Sequence, residues 1–249
     1  MKPRLIIVTI CYNNLNDLIK TCESVEYQTV LPDEHWIIDG STNEEILTWL
    51  STKQHSNFRH FVHERDGGIS NAFNKGILRV KDGMIQLLNA GDVLFNASTL
   101  EQTLSFLSNH LGIDWISGKI CMADSNGSER FLGTPFNPVF LNRGMQWITH
   151  QTWWVDKRVY NEVGLYRQDL KIAMDYDMLC RLSKFKYAYY DFISVRFDSN
   201  GISNQRFSFG LWEAYKVYRG HFGHSVVLAY LQLRCILARW IKARLKWLN

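Results

Sequence analysis

Residues 5–14 read Leu5-Ile6-Ile7-Val8-Thr9-Ile10-Cys11-Tyr12-Asn13-Asn14, a solid apolar run that stops abruptly in polar, turn-forming residues. An apolar run of this length marks a strand covered on both faces, as in a parallel sheet. Apolar positions then recur at helical spacing from Leu15 to Val25, and His35–Ile38 reads as a second strand ending in Asp39-Gly40-Ser41-Thr42. Helix at Ile46–Leu50, strand at Phe58–His63, helix at Ile69–Val80 and strand at Met84–Leu88 continue the alternation. Strand–helix–strand repetition with short connections predicts an α/β fold, a mostly parallel central sheet flanked by helices. Ligands bind beyond the carboxyl ends of such strands. All four ends are polar here: Tyr12-Asn13-Asn14, Asp39-Gly40-Ser41-Thr42, Glu64-Arg65-Asp66-Gly67-Gly68 and Asn89-Ala90-Gly91-Asp92.

The second half is less regular. Trp115–Met122 reads as a strand, Asp124-Ser125-Asn126-Gly127 as a hairpin turn, and Phe131 opens a Gly/Pro-containing connection to about Trp147. A strand at Thr152–Val155, a short helix at Lys157–Val163 and an amphipathic segment opened by Asp175 follow. No repeat or linker splits the chain. The expected organisation is one unit over 1–200, with a regular half (1–95) and a less regular half (96–200), followed by a basic helical C-terminal extension over 201–249.

Composition agrees with a globular enzyme: 46% of residues are apolar and 21% charged, which excludes disorder. Five cysteines form no Cys-x-x-Cys pair, which fits a reducing, cytoplasmic setting and argues against a disulfide framework or zinc site. Leu5–Ile10 is too short for a signal segment. The net charge of +4 is unevenly spread: residues 1–124 carry 10 basic and 15 acidic side chains, residues 125–249 carry 18 and 9. Residues 200–249 hold 8 basic side chains and one acid, Glu213. The acidic half calls for a cation and the basic tail for an anionic partner. No nucleic-acid module accompanies the charge. Val226–Trp247 lacks an uninterrupted apolar run for a membrane span. It reads equally as a basic amphipathic helix lying peripherally on an anionic membrane, at the cytoplasmic face of the inner membrane, or as a helix packed on the domain or on a second copy in a homodimer.

Ile7–Asn14, Trp36-Ile37-Ile38-Asp39-Gly40-Ser41-Thr42, Asp66–Ile77, Leu88-Asn89-Ala90-Gly91-Asp92 and Met174-Asp175-Tyr176-Asp177 with Leu182 follow in order over about residues 4–200. Together they resemble family 2 glycosyltransferases of the GT-A fold, of the kind that build bacterial polysaccharides. Three departures stand out: Ile38 where many members carry Asp, Ala90-Gly91-Asp92 where they carry Asp-x-Asp or Asp-Asp, and Met174 where they carry Glu.

Asp39 ends a strand, where its carboxylate either accepts a hydrogen bond from a nucleobase or ribose or caps the next helix; the resemblance implies the base, usually uracil. Tyr12 stacks on the base or simply packs. Asp66 precedes Gly67-Gly68, whose bare backbone admits a ligand, and the resemblance places Asp66, Asn74 and Gly91 around the nucleotide sugar. Asp92 is the expected metal ligand: Mg²⁺ or Mn²⁺ against a departing diphosphate needs only one or two protein carboxylates. Asp175 and Asp177, two apart on a helix, point differently and do not form an acid/base couple. The functional reading makes Asp175 the general base toward the acceptor hydroxyl. His150, before an aromatic run, reads chiefly as a satisfied core histidine, with contact to a phosphate, the metal or the acceptor as the alternative, and Gly201-Ile202-Ser203-Asn204 as a loop closing over the donor. The expected activity is inverting, metal-dependent transfer of a sugar from a nucleotide sugar, UDP-linked by resemblance, to a glycan or lipid-linked acceptor. A sugar-phosphate nucleotidyltransferase and a non-catalytic nucleotide-sugar-binding scaffold are the rivals.

Overall fold

The computed structural model describes residues 2–52, 57–123, 127–145, 147–198 and 207–245. The first half alternates β1 (Leu5–Cys11), α1 (Leu15–Glu26), β2 (Glu34–Asp39), α2 (Glu45–Thr52), β3 (Arg59–His63), α3 (Ile69–Arg79) and β4 (Met84–Asn89). A two-residue β5 (Val93–Leu94) and α4 (Thr99–Asn109) lead to β6 (Trp115–Ala123), β7 (Glu129–Leu132) and β8 (Trp154–Asp156). Helices α5 (Lys157–Val163) and α6 (Met174–Leu182), the long β9 (Tyr187–Asp198), α7 (Phe207–Phe222) and α8 (Val226–Leu245) complete the chain.

The nine strands form one sheet in the order β3-β2-β1-β4-β8-β6-β9-β5, with β7 added beside β6. Strands β1 to β4 run parallel, as the apolar runs predict, and β6 with β9 forms a further long parallel ladder. The chain enters β8 antiparallel to both β4 and β6, so this short strand welds the two halves into one sheet. The turn residues 124–126 lie outside the described residues, and their flanks pair antiparallel from Ala123 opposite Glu129 to Ile120 opposite Leu132. The loop at 201–204 also lies outside them.

Burial follows the pattern of the strands. Every residue of β1 is buried, with Ile6, Val8 and Ile10 packing under α3 on one face and Leu5 and Ile7 under β6, β9 and α4 on the other. Each such Ile or Leu side chain contributes about 1.5–3 kcal/mol by leaving water. Helix α3 lies unusually close to the sheet at Gly76, where a Cβ would come 2.2 Å from Val8 Cγ1. That contact fixes the helix whose first turn borders the site.

The extension is tied into the domain at its start. Helix α7 packs on α6, burying Glu213 and Val217. Helix α8 touches the 3-10 turn Pro138–Arg143 and otherwise leaves Val226, Tyr230, Leu233, Leu237 and Trp240 exposed along one stripe. No helix among the described residues is long and apolar enough to cross a membrane.

Candidate active site

A cleft of about 460 Å³ opens at the carboxyl ends of β1 and β4 and against the segment that follows β3, within the usual range for a small-molecule site. It is lined by Ile10, Cys11, Tyr12 and Asn14 on one side, Asp66, Gly68, Ile69 and Ala72 on another, and Asn89 and Ala90 at its end. Tyr12 stands 57% exposed over it, a free aromatic face. Its position is set by the next residue: Asn13 takes a left-handed backbone (φ 51°), its backbone N–H donates to Ser41 Oγ (2.9 Å), and its side-chain Oδ1 accepts from Thr42 N (3.1 Å), bridging from β1 to β2. This bridge is one that the sequence reading did not name, although Asn after a strand is its signal.

Asp66 borders the cleft as expected. Its Oδ1 accepts from Gly68 N at 2.8 Å, and its carboxylate lies over Gly40, where a Cβ would come 1.8 Å from Oδ2. Gly40 is therefore required by close approach.

Two expected nucleotide contacts are corrected. Asp39 is fully buried: Oδ1 accepts from Ser41 N at 2.9 Å and Oδ2 lies 2.7 Å from His63 Nδ1. Its carboxylate holds the β2 turn and orients His63 instead of facing the cleft. Asn74 is buried and spans to the backbone of Tyr166, donating to its carbonyl and accepting from its N–H, both at 2.8 Å. It pins α3 to the segment ahead of α6. Gly91 takes φ 108°, and its N–H donates to Thr21 Oγ1 at 2.9 Å, so it shapes the turn that presents Asp92.

Asp92 is buried, and its Oδ2 accepts from both Asn89 N (2.8 Å) and Asn89 Nδ2 (3.0 Å). Burial pushes its carboxyl above the usual range, against the Asn89 hydrogen bonds and the pull of His150. Cys11, at the cleft wall, is likewise raised far above a normal thiol by burial and by Asp39, so it stays protonated.

The two acids of α6 part company, as the spacing predicts. Asp177 is buried among Arg181 (2.7 Å), His221 of α7 (2.9 Å) and Arg167 (3.6 Å), a structural cluster. Asp175 turns the other way, with Oδ2 2.9 Å from His150 Nδ1. His150 corrects the core-histidine expectation. Its Nδ1 meets Asp175, while its Nε2 and Asp175 Oδ1 are buried without a hydrogen-bond partner. Burial lowers the imidazole's pKa, but Asp175 and then Asp92 outweigh that and leave it raised. Asp92, His150 and Asp175, 83 residues apart end to end in sequence, thus act on one another electrostatically.

The packing explains the convergence. Met174 Sδ accepts from Ser70 Oγ on α3 at 2.7 Å, and the His150 ring meets Phe73 of α3 edge-on at 5.6 Å. Helix α3, which lines the cleft with Ile69 and Ala72, therefore carries Asp175 and His150 on its flank. A cleft walled by Asp66 at the carboxyl edge of a mostly parallel sheet flanked by helices is the arrangement of the GT-A fold.

The family comparison agrees: residues 6–164 match the model of Glycosyl transferase family 2, and the chain belongs to that family. It is similar to an uncharacterized glycosyltransferase of Mycobacterium tuberculosis, 26% identical over 207 residues, covering 82% of this chain and 78% of the relative. It is also similar to a PGL/p-HBAD biosynthesis glycosyltransferase of Mycobacterium bovis, 24% identical over 68% of this chain and 65% of that one. Among solved structures, residues 1–349 of S. aureus TarS in complex with UDP-GlcNAc superpose with a TM-score of 0.63 at 13% identity, covering 92% of this chain and 70% of that one. The chain spans 42% of the longer TarS structure.

Proposed function

We propose that this glycosyltransferase is an inverting, metal-dependent enzyme that moves a sugar from a UDP-linked donor to a hydroxyl of a glycan or lipid-linked acceptor in polysaccharide biosynthesis. The observation that carries the reading is the 2.9 Å pairing of Asp175 with His150 against helix α3, whose Ile69 and Ala72 line a cleft fit for a nucleotide. TarS, similar in fold, has been solved with UDP and with UDP-GlcNAc.

In this reading the exposed Tyr12 ring stacks on the base, while Asp66 and the open backbone at Gly67-Gly68 receive the ribose and phosphates. The donor set fits Mn²⁺ or Mg²⁺: Asp92 is a buried carboxylate whose pKa burial raises, so a nearby cation offsets a standing cost. Among the described residues no group of three His, Cys, Asp or Glu side chains is ready to hold a metal, so phosphate oxygens and water would supply the other ligands beside Asp92. The cation, when bound, supplies positive charge against the departing diphosphate.

Asp175 takes the proton from the acceptor hydroxyl as its oxygen attacks the anomeric carbon and the diphosphate leaves from the opposite face. Such proton transfer contributes about 10²- to 10⁴-fold. A covalent cysteine intermediate is disfavoured because Cys11 is held as the thiol. The apolar stripe on α8, which also carries Arg234, supports peripheral contact with an anionic membrane.

A panel of nucleotide sugars assayed with and without Mn²⁺ tests the reading, with product stereochemistry read by NMR. Metal-dependent turnover of a UDP-sugar with inversion, lost in Asp175→Asn, is expected. Metal-dependent UDP binding without turnover would instead favour a scaffold. Flotation with anionic but not zwitterionic vesicles tests the membrane contact, and a dimer by light scattering would place a second copy on the stripe.

A further inference from the structure

We propose that His150 is the positioning residue of the base: its Nδ1–H fixes one oxygen of Asp175 so that the carboxylate meets the acceptor hydroxyl in a single orientation. The inference rests on the reading of Asp175 as base.

The ring is held from several sides. It opens the 3-10 turn His150–Thr152, whose backbone is gripped by the sheet: Gln86 Nε2 on β4 donates to Gln151 O at 2.7 Å, and Tyr190 OH on β9 donates to Thr152 O at 2.6 Å. Trp153 N donates to His150 O at 2.9 Å, and Phe73 packs against the imidazole edge. A carboxylate accepts, so Nδ1 carries the proton in the 2.9 Å contact with Asp175 Oδ2.

Other histidines in the molecule provide an internal control. Both nitrogens of buried His35 are engaged, with Thr9 Oγ1 at 2.9 Å and Arg59 Nε at 3.3 Å. Asp39, partner of His63, has both oxygens bonded. Asp177, partner of His221, also has both oxygens engaged. In the His150–Asp175 pair one nitrogen and one oxygen are buried without partners. A pair kept for stability alone would not retain two such costly groups, each worth about 1–3 kcal/mol when left unpaired. One oxygen anchored and one left without a partner is the arrangement a base needs, because misplacing a reacting group by about 1 Å costs about 10²-fold. Throughout the reaction Nδ1 keeps its proton; the acceptor's proton goes to Asp175.

The test compares His150→Ala and His150→Asn, each alone and in an Asp175→Asn background, with folding checked by thermal melting and donor binding by UDP calorimetry. Asn places an amide donor where Nδ1 sits. We expect His150→Ala to lower kcat by about 100-fold with donor KM changed less than about 3-fold. His150→Asn should recover most of that loss, and Ala should have no further effect once Asp175 is Asn. Unchanged kcat in folded His150→Ala, a loss confined to donor KM, no rescue by Asn, or multiplying effects with Asp175→Asn would each overturn the positioning role. Full activity of Asp175→Asn alone would show that the underlying base assignment had failed, a separate result from an Asp175-dependent enzyme indifferent to His150.

Discussion

Glu213 closes the N-terminal end of the helix that carries Asp175: its Oε2 accepts from Ile172 N at 2.8 Å and Ala173 N at 3.0 Å, and Oε1 accepts from Lys171 N at 2.9 Å. Three otherwise unpaired donors just ahead of α6 are satisfied by one buried carboxylate from α7, and its charge also suits the positive end of the helix. Glu213→Ala should therefore lose about 1–3 kcal/mol per stranded donor that water does not reach. The expected result is a melting temperature lower by several degrees and a reduced kcat with near-normal UDP affinity. An unchanged melt would refute the capping role.

Asp92→Asn should separate stability from activity. The native carboxylate is desolvated, and its raised pKa means that the charged form at neutral pH destabilises the fold. Asn keeps an acceptor for Asn89 N and removes the charge. Transfer should fall below detection, while melting rises by about 2–4 °C for each kcal/mol regained. Calorimetric melts paired with the transfer assay check both halves, and a variant that melts lower would contradict the electrostatic argument.

Gly40→Ala should fail because its Cβ collides with Asp66 Oδ2. Loss of UDP binding and lower stability are expected. Adding Asp66→Ala relieves the collision, so the double variant should regain stability and still bind UDP weakly. Full recovery of binding in the double variant would remove Asp66 from the donor site.

The pH dependence of stability should show the buried His35. Burial, then Arg59, holds its pKa well below the ordinary value, so it is neutral when folded. As pH falls below about 6.5 the unfolded chain takes up a proton that the folded chain refuses, and stability drops by about 1.4 kcal/mol per pH unit until the folded pKa is reached. The destabilisation caused by His35→Gln, measured by urea unfolding, should therefore shrink between pH 7 and pH 5. A difference constant with pH would show that His35 is not the titrating group.

How far the chain could be read from its residues depended on the kind of signal. Strands β1 and β4 were legible because two-sided burial leaves near-continuous apolar runs, and the helices between the strands because one face is apolar. Helix α4 was not read: its buried face includes Thr99 and Thr103 beside Leu100 and Leu107, which blurs the period. Strand β9 escaped because its aromatic residues other than Tyr190 are only partly buried and its register with β6 shifts between Ser117 and Ile120. The same contrast holds at the site. The helical spacing of Asp175 and Asp177 foretold their divergence, and the Gly-Gly after Asp66 marked an open wall. Asp39 and Asn74 sit at the right places on their elements, but hydrogen bonds from Ser41, His63 and Tyr166, distant or local, consume their polar atoms. The partnership of His150 with Asp175 depends on the antiparallel entry of β8, which no local pattern encodes.

The dependence of α6 on Glu213 and His221 gives the molecule an uneven division of labour along its length. The lining of the cleft is complete before residue 100, and the family match itself ends at residue 164. The helix that carries Asp175 is held by Glu213 and, through Asp177, by His221, both contributed by α7. A chain stopped after β9 would keep the pocket and forfeit the brace, leaving a receptor for the donor with a poorly aimed base.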